Sequence, residues 1–143
     1  MAAPQMPGPP VAPLSEAVLA QAPAAIIVAG CDGLIRSWNH AAEAVFGYSA
    51  AEVVGSSLDV IIPERFRDAH WEAFRQAIAS GECRNDYGPR TTRAIHKLGR
   101  PLYVDLSFGL LKDPSGAVVG SVAVGRDCTA RYLAAKAQRQ QDN

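Results

Sequence analysis

The chain carries no excess charge of either sign: 14 Lys and Arg stand against 14 Asp and Glu over 143 residues. This removes the basic footprint expected of a nucleic-acid binder or of a protein held on anionic membranes. No apolar run approaches the ~20 residues that a bilayer span needs. The opening residues, Met1-Ala-Ala-Pro-Gln-Met-Pro-Gly-Pro-Pro10, have neither a basic start nor a continuous apolar stretch, so no secretory signal is expected. Cysteines are few, odd in number and far apart (Cys31, Cys83 and Cys128), which fits neither a disulfide framework nor a zinc-ligand spacing. No Ser/His/Asp set, paired acids or phosphate-cradling glycine loop is evident, so no catalysis by this chain is expected. The remainder is ordinary globular composition at the length of one domain. The expectation is a soluble, cytoplasmic single domain.

Five of the ten prolines fall in residues 1–13, which carry no charge. Such a segment buries too little surface to offset its ordering entropy, so 1–13 reads as a disordered tail. From Leu14, Val18, Leu19 and Ala22 recur at helical spacing and predict a short leader helix. Ala25–Gly30 is an apolar run closed by Cys31-Asp-Gly33, a hairpin turn leading into a second strand, Leu34–Trp38. Asn39 is placed to cap a helix ending at Gly47, and Ser49 with Glu52 forms a capping box for another, closed at Gly55. A longer helical stretch runs from Pro63 to about Ser80-Gly81. It carries His70, Phe74, Ala77 and Ile78 on one face, with Trp71 flanking that stripe.

Three strands follow. The first spans about Asn85 to His96 and turns at Leu98-Gly-Arg100. In the second, Leu102, Val104, Leu106, Phe108 and Leu110 alternate with Tyr103, Asp105, Ser107 and Gly109, a half-buried strand. After the Asp113-Pro-Ser-Gly116 turn, Ala117–Arg126 places Val118, Val122 and Val124 on one parity. Thr129 then caps a last helix through residue 142, with Ala130, Leu133, Ala134 and Ala137 as a thin seam. The order predicts an α+β domain over 14–127: a five-stranded antiparallel sheet with helices gathered on one face, and a separate helix over 128–143.

Trp38-Asn-x-Ala-Ala-Glu43, Phe46-Gly-Tyr-Ser49, Glu52-x-x-Gly55 and Ile62-Pro63 resemble the first half of a PAS domain. Arg126-Asp-Cys-Thr129 is similar to the PAS exit motif that precedes a signalling helix. Within that family, Ile62-Pro-Glu-Arg-Phe-Arg-Asp-Ala-His70 resembles the segment carrying the proximal histidine in FixL-type heme sensors and direct oxygen sensor phosphodiesterases. His70 follows Pro63 by seven residues and Arg90 precedes Gly99 by nine, as in those proteins. The resemblance implies heme b held by His70, with Phe74 below it and Leu106, Phe108 and Val122 keeping water from the gas ligand. It implies that Arg90 donates a charge-assisted hydrogen bond to dioxygen at the iron. Three positions depart from the pattern. Gln76 replaces an arginine and Arg84 a loop histidine, both associated with the propionates, so that Arg84 or Arg75 would have to serve them. Gly88 stands where the phosphodiesterase sensors carry a methionine, which implies an open distal position. No photoreceptor-type Asn-Cys-Arg-Phe surrounds Cys83, which disfavours flavin photochemistry, and His40 and His96 read as surface residues.

The resemblance thus implies a gas sensor, for O2 or else CO or NO, that forms a homodimer. It would signal to a kinase, cyclase or phosphodiesterase output domain, in the manner of a histidine-kinase sensor of a two-component system. Two alternatives stay open: a cofactor-free PAS module for dimerisation or partner docking, and a PAS domain holding FAD or a small metabolite.

Overall fold

The computed structural model describes residues 11–83 and 90–142, with side chains from Leu14 onward. Helix α1 (Val11–Gln21) leads into strands β1 (Ala25–Gly30) and β2 (Ile35–Trp38) and helices α2 (His40–Phe46) and α3 (Ala50–Val53). Two 3-10 turns, Leu58–Ile61 and Glu64–Phe66, precede helix α4 (Arg67–Ser80). Strands β3 (Arg90–Ile95), β4 (Pro101–Lys112) and β5 (Val118–Asp127) and helix α5 (Thr129–Gln141) complete the chain. The five strands form one antiparallel sheet in the order β2-β1-β5-β4-β3. The α+β architecture read from the sequence is the one observed. Among the described residues no helix is long and apolar enough to cross a membrane.

Local chemistry explains the helical corner. Asn39, a buried polar residue, is fully paired: Oδ1 accepts from Ala42 N–H at 3.0 Å and Ile26 N–H at 2.9 Å, and Nδ2 donates to Ala24 O at 2.9 Å. One side chain therefore caps α2 and ties it to β1. Gly47 ends α2 in the left-handed region at φ +83°. Ser49 and Glu52 form the expected capping box on α3. The core lies between this corner and the inner face of the sheet, where Phe46, Ile35, Leu102, Val53 and Val104 are fully buried.

Three boundaries differ from expectation. Helix α1 starts at Val11 rather than Leu14. Pro13 falls in its first turn, where a missing N–H breaks no intrahelical bond; the rest of the expected tail, residues 1–10, lies outside the described residues. The strand expected from Asn85 is described from Arg90. Thr129 does not cap α5 but is its first residue. Cys128 is the N-cap and makes no side-chain cap; the residue before it, Asp127, accepts from Thr129 N–H through Oδ1 at 2.8 Å, while Tyr103 N–H donates to Thr129 Oγ1 at 3.0 Å.

The parity of β5 is also corrected. Ala25, Ile27 and Ala29 are buried on the inner face, and their partners on β5 are Gly125, Ala123 and Ser121. Val122 and Val124 therefore face outward, beside Ile26 and Val28. Both parities of this strand are small or β-branched, so alternation alone does not say which is inside. The register of β1 does.

On that outer face α5 is clasped to the sheet. Arg131 pairs with Asp105 Oδ2, Thr91 Oγ1 donates to Asp105 Oδ1 at 2.8 Å, and the rings of Tyr103 and Tyr132 stack at 3.9 Å. The Thr91 hydroxyl first, then Arg131 and the Cys128 thiol, hold the Asp105 carboxyl below its usual range. A carboxylate with a depressed folded pKa stabilises the fold above its unfolded value, about 3.9, and loses that contribution as pH falls through the folded value. Asp105→Asn is therefore expected to lower the urea midpoint at pH 7, with the gap to wild type closing as pH falls below the unfolded value of about 3.9. Glu52 and Asp113 are also held below their usual range in both proteins, so the difference between the two curves is the measure.

Candidate functional site

Helix α4 holds an apolar stripe but buries no residue, and it makes few close approaches to the strands beneath it. The reason lies in the floor. Where α4 crosses the sheet, the side chains pointing at it are small: Ala29, Ser121 and Ala123, with Gly109 beside them. Phe74, Ala77 and His70 reach down from the helix without meeting them. The result is a cavity of about 230 Å³, walled by Ile27, Leu58, Ile61, Ile62, Leu106 and Phe108. Voids of this kind withhold about 24 cal/mol per Å³, so this one leaves about 5 kcal/mol of packing unrealised. Against a typical total stability of about 5–15 kcal/mol that is a large deficit, and an apolar occupant would recover it.

His70 is the imidazole in this otherwise apolar wall. It is half-buried on α4, and its Nδ1 is shut off from solvent with no hydrogen-bond partner among the described residues. Burial lowers its pKa, with Asp59 opposing more weakly, so the ring is neutral at pH 7 and a nitrogen lone pair is available for donation. Arg93 Nε is likewise buried and unpaired, but that guanidinium lies over the Tyr103 ring and donates through Nη1 to Tyr103 Oη at 3.3 Å.

The register of β3 on β4 sets Arg90 opposite Leu106, on the face that carries the cavity. Arg90 is exposed and stands in an open groove that continues the cavity past Ala73, Ala77, Cys83 and Phe108, and that adds the polar Gln76, Ser80 and Glu82. Phe108 sits where the two meet and stays 41% exposed. The structure thus brings His70, Phe74, Leu106 and Phe108 to one cavity and puts Arg90 at its margin. Val122 does not belong there: it is a correction, since its register partners Gly109 and Val28 set it on the outer face. Ile78 is also absent from the lining, and Arg84 and Gly88 lie outside the described residues. The small floor residues were not singled out from the sequence, although Gly and Ala in cavity-facing strand positions are the available signal. Among the described residues no group of three or more His, Cys, Asp or Glu gathers to chelate a metal ion.

Comparison with known proteins agrees with this geometry. Residues 15–128 match the family model described as PAS fold, a sensory and regulatory module. Oxygen sensor protein DosP of Escherichia coli is 32% identical over 107 residues, covering 75% of this chain and 13% of that protein. An uncharacterized protein of Azorhizobium caulinodans is 42% identical over 59 residues, 41% of this chain and 8% of its own length. The chain thus corresponds to a small part of these relatives. Among solved structures, an RNA-binding light-oxygen-voltage receptor superposes with a TM-score of 0.75 at 23% identity, over 99% of this chain and 41% of that one. A PAS domain from Colwellia psychrerythraea gives 0.70 at 20% identity, over 85% and 99%. At these identities the structural likeness speaks for the fold. Matched to the family model over residues 15–128, four-fifths of its length, the chain belongs to the PAS fold family.

Proposed function

We propose that this chain is a heme-b sensor domain that binds a diatomic gas, O2 in the first place. The observation that carries the reading is the neutral imidazole of His70, its Nδ1 unpaired among the described residues, on an apolar cavity with a floor of small residues. The residues present fit the group. A metal that brings its own macrocycle needs one protein ligand, which suits a site with one imidazole and no chelating cluster. A planar ring suits a floor of Ala29, Ser121, Ala123 and Gly109. The likeness to an oxygen sensor protein points the same way.

Bound heme would supply an iron that exchanges a diatomic ligand. Everything else is done by the chain. His70 would hold the iron from α4. Leu106, Phe108 and Phe74 would exclude water. Arg90, opposite Leu106, would donate a charge-assisted hydrogen bond to a gas that draws electron density from the iron, contributing about 1.5–3 kcal/mol, roughly ten- to a hundredfold in affinity. Carbon monoxide polarises less, so Arg90 would favour oxygen. At about 230 Å³ the cavity is below the roughly 300–1,000 Å³ of pockets holding larger ligands. Admission of a tetrapyrrole therefore requires the far half of α4, beyond Phe74, to lift away from the sheet. The same size favours one second reading, a small apolar metabolite in the closed form. Signalling as a homodimer to a kinase, cyclase or phosphodiesterase output, in the cytoplasm, completes the proposal.

The visible spectrum of protein made with adequate heme supply tests it. A Soret band that shifts on reduction and on adding O2 or CO is expected, and it should be lost in His70→Ala. Colourless protein that takes up no hemin overturns the reading, and a flavin spectrum replaces it. Arg90→Ala should weaken O2 binding about ten- to a hundredfold and CO binding far less. If both weaken equally, Arg90 has no distal role. Ala123→Leu fills the floor: the ligand-free protein should gain about 0.5–2 kcal/mol while hemin uptake falls. Val122→Leu, on the other face, should leave uptake unchanged.

A further inference from the structure

We infer that Asp59 and Trp71 are positioning residues for His70, the indole hydrogen bond to Asp59 holding the ring that in turn holds the imidazole. This rests on the reading of His70 given above. An imidazole that binds a metal is ordinarily oriented by a hydrogen bond from its second ring nitrogen. Here the buried Nδ1 has no such partner among the described residues, so its plane is set by packing. Its ring neighbours are Trp71, edge-on at 4.7 Å and 77°, and Phe74, stacked at 6.0 Å and 29°, and these two rings also meet each other edge-on at 5.3 Å.

Trp71 is itself held at both ends. Its Nε1–H donates to Asp59 Oδ1 at 2.7 Å. Its far edge lies over Gly33, whose φ is +78°; a Cβ there would stand 2.3 Å from the ring, so the indole uses space that only glycine leaves. Asp59 is fixed in turn. Its N–H donates to Ser57 Oγ at 3.1 Å, and its carbonyl accepts from Arg67 Nη2 at 3.2 Å. Arg67 Nε also donates to Ile62 O at 3.0 Å. The first two turns of α4 are thus pinned to the 3-10 turn before it and to the β1–β2 hairpin. His70 sits on the pinned half of a helix that otherwise touches the sheet lightly. Fixing the ring beforehand removes an ordering cost from ligand binding.

The test uses the full chain with Asp59→Ala, Asp59→Asn and Trp71→Phe. The readouts are the His70 ring-carbon NMR signals without ligand, and hemin titration followed at the Soret band. Asp59→Ala and Trp71→Phe should broaden the His70 signals and weaken hemin uptake about tenfold, the lower end for loss of an orienting partner. Asp59→Asn keeps an amide oxygen that accepts the indole N–H but loses the charge, and it should retain both properties. Unchanged His70 signals in Asp59→Ala, or no rescue by Asp59→Asn, overturn the inference. Should Asp59→Ala fail to fold, Trp71→Phe carries the same decision. Wild-type protein that takes up no hemin removes the reading of the site, while the NMR arm still decides whether these two residues orient His70.

Discussion

Across the gap between α4 and the sheet, large side chains face small ones that cannot reach them. Phe74 and His70 come from the helix, and Ala29, Ser121 and Ala123 come from the strands. Close packing is the default of protein interiors, and here it is not achieved. Three features follow from that shortfall: the apolar volume, the unpaired imidazole, and a fourteen-residue helix with no fully buried residue. On the other side of the domain the same sheet packs fully, with Ile35, Phe46, Val53 and Leu102 closed around the Asn39 corner. One face of the sheet is therefore divided between a finished core and an unfinished one.

The division also separates a rigid part of the molecule from a movable part. The α2–α3 corner is held by a fully paired buried asparagine, a capping box and the Trp38 indole, which donates to Tyr48 O at 3.0 Å. The start of α4 is held by Arg67 and Trp71. Beyond Phe74 the helix contributes Ala77 to the cavity and otherwise lines the open groove, and it ends at Gly81 in the left-handed region. Local opening is cheapest where buried contacts are fewest, which is the far end of α4. A site needs a firm ligand and an opening through which something enters, and this helix supplies the two at opposite ends.

Much of the fold was legible because its signals are local. Asn39, Gly47, the Ser49–Glu52 box, the Asp-Gly hairpin and the alternation of β4 each act within a few residues, and each was found where expected. His70 and Phe74 were legible for the same reason, as positions on one helical face. What was not legible depends on register and distance. The inward parity of β5 is decided by its pairing with β1, nearly a hundred residues away, so Val122 was assigned to the wrong face. The Asp59–Trp71 bond joins residues twelve apart across a turn, with no pattern that announces it. Trp71 looked like a flank of the apolar stripe and is instead the piece that steadies it.

The clasp on α5 has a further meaning. Leu106 forms part of the cavity wall, and its neighbour Asp105 holds Arg131 of the exit helix. The adjacent strand repeats the arrangement, with Arg90 facing inward and Thr91 turned outward to the same Asp105. Pleating makes consecutive residues look into opposite compartments. The cavity wall and the groups that hold the exit helix are thus one Cα–Cα step apart, about 3.8 Å, on each of two neighbouring strands. A shift of either wall residue crosses one peptide unit before it reaches the Asp105 and Arg131 side chains that join the sheet to α5.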